Sequence, residues 1–177
     1  MLTVHGWSLL FYPAFLDQLE RLIATVENEA AKGVLGASAK LLGAIDLLIY
    51  DQIPHDPADV RFRQGGTLGP SRKHWFRAKF SGGRFRLFFR FRTDARLIVY
   101  GWVNDAETLR TYGARTDAYA VFEQMLDRGD PPDGWDELVR KASAPEVLAR
   151  TRNLSRRSRR DAEQKLPSAP LPFHRAE

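Results

Sequence analysis

Residues 73–92 alternate between apolar and basic side chains around a Gly-Gly pair, and this pattern constrains the fold more than any other in the chain. The segment reads KHWFRAKFSGGRFRLFFRFR. Strict alternation on both sides of Gly-Gly is typical of a β-hairpin. A two-residue loop pairs Phe80 with Phe85 and Lys79 with Arg86. A three-residue loop would place Lys79 opposite Phe85 and mix the two kinds of side chain on each face, so the alternation argues against it.

This pairing gives the hairpin one apolar and one basic face. The apolar face, which we expect to be buried, carries Phe76, Ala78, Phe80, Phe85, Leu87, Phe89 and Phe91. The basic face carries Lys73, Trp75, Arg77, Lys79, Arg84, Arg86, Phe88, Arg90 and Arg92. Like charges opposite one another destabilise a sheet, so the cations on this face indicate a polyanionic partner rather than a need of folding. Its two aromatic side chains would stack on bases unless another part of the chain covers them.

Composition narrows the function classes further. The chain has 177 residues, no cysteine, four histidines and a formal net charge of +5. The length fits one domain, and the lack of cysteine excludes disulfides and thiolate zinc sites. No two histidines have the spacing of a metal-binding pair, so we expect no metal and no cofactor. Without an apolar run of membrane-spanning length or a convincing signal peptide, the expected location is the cytoplasm, with no membrane contact.

The residues before and after the hairpin are predicted to be mainly helical. Apolar residues recur at helical spacing from Pro13 to about Ala31, and again after Ser38, which can cap a second helix. Residues 54–70 are rich in proline and glycine and are interpreted as a long loop. Residues 96–103 are rich in β-branched and aromatic side chains and are predicted to form a third strand.

The C-terminal third is predicted to contain two helices and a tail. Thr116 or Asp117 can cap the first helix, and a short helix is expected over 135–142. The sequence then changes to RTRNLSRRSRR followed by QKLPSAPLPFHRAE, which is typical of a disordered basic segment. We therefore divide the chain into a domain, residues 1–149, and a tail, residues 150–177. The tail is either a solvated, variable terminus or a phosphate-binding arm.

Two longer motifs resemble a known family. RAKFSGGRFRLFFRF and VYGWVNDAETLRTYGARTDAYAVFEQMLDRGDPP resemble the YhaV toxins of bacterial toxin–antitoxin systems, within the wider RelE/ParE-like group. The resemblance extends from about residue 5 to about residue 140. It implies an α+β fold in which a small antiparallel sheet carries N-terminal helices on one face and the RNA site on the other, followed by C-terminal helices. It also implies an endoribonuclease that cuts mRNA, often on the ribosome, and an antitoxin of the PrlF (AbrB-like) type.

The resemblance also implies catalytic residues. RelE-like toxins that use basic residues carry a basic-x-basic pair on one strand and an arginine after the hairpin turn, matched here by Arg77, Lys79 and Arg86. Cleavage by the ribose 2′-OH requires stabilisation of the phosphorane, which suits arginine, and proton transfer, which suits a lysine among cations. Arg110 and Tyr112 are further candidates from the LRTYG motif, although RelE relatives carry these residue types elsewhere. The remaining basic-face residues are predicted to bind RNA: Lys73, Trp75, Arg84, Phe88, Arg90 and Arg92.

Two other functions agree with the same basic face. One is a non-catalytic nucleic-acid-binding module, such as an autorepressor that binds operator DNA together with its antitoxin. The other is a toxin that binds a protein target, as ParE-like relatives poison gyrase. The joint presence of Arg77, Lys79 and Arg86 argues against a protein target, because phosphate chemistry explains all three.

Overall fold

The fold is a five-stranded β-sheet between two layers of helices. The computed structural model of the protein describes residues 1–34, 36–108 and 113–164, with side chains up to residue 157. The strands are Leu2–Val4 (β1), Trp7–Phe11 (β2), Phe76–Phe80 (β3), Phe85–Arg92 (β4) and Leu97–Val103 (β5). Their order is β1-β2-β5-β4-β3, in which β2 and β5 run parallel and the other neighbours antiparallel. The predicted α+β class with a mainly antiparallel sheet is confirmed.

Helices account for most of the remaining described chain. They are Pro13–Ala31 (α1), Ala37–Leu47 (α2), Ile53–His55 (α3), Ala118–Asp127 (α4), Trp135–Ala142 (α5) and Pro145–Gln164 (α6). The bounds of α1 and α5 agree with the sequence prediction, and Asp117 caps α4 by accepting from the amide of Tyr119. The predicted cap at Ser38 is wrong, because Gly36 is the N-cap and the Ser38 hydroxyl donates to a Glu29 carboxylate oxygen. None of the helices in the described ranges has the length and hydrophobicity of a membrane-spanning segment.

The hairpin pairs as the sequence predicts. Phe80 lies opposite Phe85, and Lys79 opposite Arg86. The connection is longer than the predicted two residues: positions 81–84 form the turn, and three of them have positive φ angles. The apolar face is oriented as expected, although its burial decreases toward the hairpin tip, where the side chains of Phe80 and Phe85 are only half-buried.

A layer of helices covers most of the face that was predicted to be open to RNA. The apolar side chains under α1, α2, α3 and α6 form the first core, and those under α4 and α5 form the second core. Trp75 and Phe88 belong to the second core and are fully buried, and the Phe88 ring stacks on Phe122 of α4 with 4.1 Å between ring centres. Their predicted role in stacking on RNA bases is therefore wrong. The cause is that β2 and β5 add further apolar side chains to this face, so the sheet needs cover on both sides.

A bulge in β5 lets the second core pack closely. Phe88 pairs with Trp102 and Phe89 with Tyr100, so Gly101 is the additional residue. A Cβ atom at position 101 would lie 2.9 Å from Cζ3 of Trp75, closer than carbon atoms pack without strain. The glycine therefore provides the space that the Trp75 ring occupies.

The C-terminal helix α6 crosses the predicted domain boundary. Leu154 is buried in the first core, Arg150 pairs with two carboxylates of α1 at 2.5 and 2.8 Å, and Arg157 pairs with a third at 2.6 Å. The predicted boundary at residue 149 therefore falls inside a helix, and residues 150–164 belong to α6, because arginine is a good helix former and α1 supplies the opposite charges. Residues 165–177 lie outside the described residues.

Candidate active site

Two of the predicted catalytic residues contact a tyrosine of α4 near the turn end of the hairpin, and a third lies beside one of them in the sheet. Lys79 is exposed and lies opposite Arg86 in the β3–β4 ladder. Arg77 donates from Nε to the hydroxyl of Tyr119 at 3.0 Å, and the guanidinium carbon of Arg86 lies 5.8 Å from the centre of the Tyr119 ring. Tyr119 therefore contacts both arginines. We call Arg77, Lys79, Arg86 and Tyr119 the tip cluster.

The two arginines of the tip cluster are nearly buried. Arg77 is 8% exposed and donates from Nη1 to the carbonyl of Arg61 at 2.6 Å. Arg86 is 6% exposed and donates from Nη1 to the carbonyls of Gly83 at 2.5 Å and Phe85 at 3.0 Å. The Nε atom of Arg86 is buried without a hydrogen-bond partner among the described residues. An unsatisfied buried donor costs about 1–3 kcal/mol, so a shift of the guanidinium that gave Nε an acceptor would be favourable.

Asn104 connects the end of β5 to the start of β4. Its side chain is buried, and Oδ1 accepts from the backbone amide of Arg86 at 2.5 Å. Its Nδ2 donates to the carbonyls of Arg84 at 3.2 Å and Thr108 at 2.9 Å. One amide side chain therefore extends the β4–β5 ladder and holds the backbone from which Arg86 projects.

The other predicted RNA-binding cations divide between the two ends of the hairpin. Arg84 is exposed at the turn, near the tip cluster, whereas Lys73 precedes β3 at the opposite end. Arg92 also lies at that opposite end, about 20 Å from Arg86 at the usual rise of about 3.3 Å per residue, and it forms an ion pair with Asp94. Within the described ranges, these cations therefore do not form one continuous basic face.

Arg90 anchors the segment before α5. It donates from Nη1 to the carbonyl of Asp133 at 2.5 Å, and its guanidinium carbon lies 5.6 Å and 5.3 Å from the ring centres of Trp75 and Trp135. Burial lowers the pKa of Arg90. Burial would raise the pKa of Asp133, but hydrogen bonds with His74 and Trp75 outweigh it and lower that pKa. These contacts give Arg90 a structural role.

Sequence reasoning missed several contributors to this site. Tyr119 belongs to the TDAY part of the second motif, but its helical spacing also fits the apolar stripe of α4. Asn104 and the carbonyl of Arg61 carry no local signal that they hold an arginine. Arg110 and Tyr112 lie outside the described residues. Within the described ranges, no three His, Asp or Glu side chains come together in a way that could hold a metal ion.

The comparisons with known proteins agree with the motifs. Residues 9–143 match a family model, Toxin_YhaV, described as a toxin with endonuclease activity, of a toxin–antitoxin system. The chain belongs to the YhaV toxin family. The ribonuclease toxin YhaV of Escherichia coli strain K12 is 43% identical over 143 residues, which cover 78% of this chain and 93% of that protein. The toxin YhaV of Escherichia coli O6:H1 is 42% identical with the same coverage. No solved structure gives a significant match.

Proposed function

We propose that this YhaV-family chain is an endoribonuclease toxin that cleaves mRNA on the ribosome without a metal ion and is neutralised by a PrlF-like antitoxin. The family description and the name of the K12 relative support the ribonuclease activity. The observation that supports the assignment to particular residues is the tip cluster, in which two guanidiniums contact one tyrosine and an exposed lysine lies opposite Arg86 in the β3–β4 ladder. This cluster lies within the region that matches the family.

The tip cluster can supply what cleavage by the 2′-OH requires. Lys79 assists the removal of the proton from the 2′-OH, whose oxygen bonds to the adjacent phosphorus. Arg77 and Arg86 donate hydrogen bonds to the phosphorane oxygens, where a preorganised donor is typically worth about 3–4 kcal/mol. The bond from phosphorus to the 5′-oxygen breaks, and the Lys79 ammonium returns the proton to that oxygen. The products are a 2′,3′-cyclic phosphate and a 5′-hydroxyl.

Tyr119 acts as a positioning residue in this proposal. Its hydroxyl holds Nε of Arg77, and its ring lies beside the guanidinium of Arg86. RNA binding would exchange some of the backbone carbonyls that now accept from the two arginines for phosphate oxygens. The buried, unpaired Nε of Arg86 favours this exchange, because a phosphate oxygen would give that donor an acceptor.

The experiment is RNA cleavage by the purified protein with and without EDTA, followed by analysis of the cleaved ends. We expect the wild type to cut in EDTA and leave 2′,3′-cyclic phosphates. Arg77→Ala should lower the rate by about a hundredfold to a thousandfold, and Arg77→Lys should recover only part of it, since the bidentate geometry is lost. Arg140→Ala, on the exposed surface of α5, is the control and should cut like the wild type.

Thermal unfolding must accompany these assays. Arg77 is buried and hydrogen-bonded, so its alanine variant should also lose stability, and rates are to be compared well below its melting temperature. Activity that disappears with EDTA and returns with a divalent ion would refute the metal-free mechanism. RNA binding without cleavage by the wild type would support the alternative of a non-catalytic nucleic-acid-binding module.

The proposed partners follow from the family resemblance. We expect the neighbouring gene to encode a PrlF-like antitoxin, the complex of the two proteins to bind operator DNA, and the pair to work in the cytoplasm. Co-purification of the two proteins, followed by a gel-shift assay on the promoter DNA, tests both partners. Equal cleavage of free and translated mRNA would remove the ribosome from the proposal and leave the nuclease in place.

A further inference from the structure

A cleft of about 550 Å³ opens beside the hairpin turn, between α1, α2 and the end of β5. Its floor is apolar, with side chains that include Leu22, Leu41 and Phe85. It lies on the first-core side of the sheet, whereas Tyr119 of the tip cluster belongs to the second core on the other side. The volume falls in the range of roughly 300–1,000 Å³ that is usual for ligand sites.

The charges around the cleft are mainly positive. Three of its lining residues are basic, Arg21 of α1, Lys40 of α2 and Arg84 of the hairpin turn, and all three are exposed. Asp105 is the one acidic lining residue within the described part of the chain. An apolar floor below a basic rim is complementary to an acidic segment that carries large apolar side chains.

A protein segment fits this chemistry better than RNA does. RNA would gain from the basic rim, but it offers phosphates and base edges rather than aliphatic groups to the leucines on the floor. A peptide can bury apolar side chains against that floor, which is favourable because it removes apolar surface from water, while its carboxylates pair with the rim.

We propose that this cleft binds an acidic, amphipathic segment of the antitoxin. The proposal rests on the proposed function, because it takes the chain to be a toxin with a protein antitoxin. The docked segment inserts its apolar side chains between α1 and α2 and places its carboxylates at the three rim cations.

The contact of the docked segment with Arg84 also affects the tip cluster. Arg84 is two residues before Arg86, and the side chain of Asn104 holds both through the Arg84 carbonyl and the Arg86 amide. A carboxylate at Arg84 removes an exposed cation from the path of the RNA at the hairpin turn. Occupation of the cleft therefore inhibits the toxin from the sheet face opposite Tyr119, without covering the tip cluster.

The test is a double charge reversal on the rim, Arg21→Glu with Lys40→Glu, on α1 and α2. Affinity for the purified antitoxin, encoded beside the toxin gene, is measured by calorimetry, and RNA cleavage is measured on the same preparations. We expect antitoxin affinity to fall at least about tenfold, since like-charge contacts across an interface are costly. The cleavage rate without antitoxin should stay within about twofold of the wild-type rate, because neither residue belongs to the tip cluster. Arg128→Glu with Arg140→Glu, on the α4 and α5 side, is the charge-matched control and should bind antitoxin like the wild type.

The outcomes separate this proposal from the nuclease proposal. Unchanged antitoxin affinity in the Arg21→Glu, Lys40→Glu protein would overturn the docking site and leave the ribonuclease assignment intact. Reduced RNA cleavage with unchanged antitoxin affinity would also overturn it, because the cleft would then belong to the RNA. Hydrogen exchange gives a second measurement: antitoxin should protect α1 and α2 at the cleft, and protection confined to α4 and α5 would refute the proposal.

Discussion

Replacing Tyr119 by phenylalanine isolates the link between the two buried arginines. The change removes the hydroxyl that accepts from Nε of Arg77 at 3.0 Å but keeps the ring, which lies beside Arg86 and packs edge-on against Phe88. A hydrogen bond to a charged group contributes about 1.5–3 kcal/mol to stability. For a chain of this length, each kcal/mol lowers the melting temperature by about 2–4 °C.

The Tyr119→Phe change should slow cleavage by more than its loss of stability alone would explain. Without the hydroxyl, Arg77 keeps its hydrogen bond to the carbonyl of Arg61 but has nothing to hold Nε, so the guanidinium can shift. A misplacement of about 1 Å can cost about a hundredfold in rate. We therefore expect Tyr119→Phe to lower kcat by about tenfold to a hundredfold with little change in KM for RNA, because overall binding does not depend on this hydrogen bond.

Tyr12→Phe is the matched control. Tyr12 is also a buried tyrosine of the second core, and its hydroxyl donates to the Asp130 carboxylate, away from the tip cluster. It should lose comparable stability and keep the wild-type kcat. The assay is steady-state cleavage of a short RNA, which gives kcat and KM, at a temperature where all three proteins are folded. If the two variants lose the same fraction of kcat, the Tyr119 hydroxyl matters only for folding and the positioning argument is wrong.

Three further predictions test the structure around the site. Gly101→Ala should destabilise by about 1–3 kcal/mol in urea unfolding, because its Cβ would meet the buried Trp75 ring, whereas Gly43→Ala in open space within α2 should stabilise by about 0.5–1 kcal/mol. The pKa of Asp133 is depressed in the folded state, so its carboxylate contributes to stability above the unperturbed pKa of 3.8, and this contribution is lost as pH falls below that value. The difference in unfolding free energy between the wild type and Asp133→Asn should therefore shrink in acid. Neutralising the exposed arginines at positions 152 and 156 of α6 should reduce the slope of log affinity for RNA against log salt concentration by about 0.7 for each phosphate that these arginines neutralise. Equal slopes would leave α6 with a structural role only.

The hairpin was predictable because a period of two determines pairing and face together. Lys79 and Arg86 are partners in the sheet as the alternation requires. The strand Trp7–Phe11 was missed for the opposite reason. It is covered on both faces, so its WSLLF run is almost uniformly apolar and shows no alternation.

The surroundings of the site could not be predicted from the hairpin alone. Alternation shows which side chains share a face, but not what covers that face, and here the cover comes from α4 and α5, far along the chain. The burial of Arg77 and Arg86 was therefore unexpected. The helix α6 was missed because its arginines suggested a solvated tail, whereas Arg150 and Arg157 pair with carboxylates of α1, far earlier in the chain.

The parallel pairing of β2 with β5 has a consequence for the timing of synthesis. Leu9 pairs with Ile98, so β2 must wait for a strand that is synthesised much later. At about 5–20 residues per second, this delay is roughly 5–20 s. A chain that stops before β5 leaves β4 without its inner neighbour, so prematurely terminated products should lack an ordered tip cluster. Toxicity should therefore begin only once β5 has paired with β2 and β4.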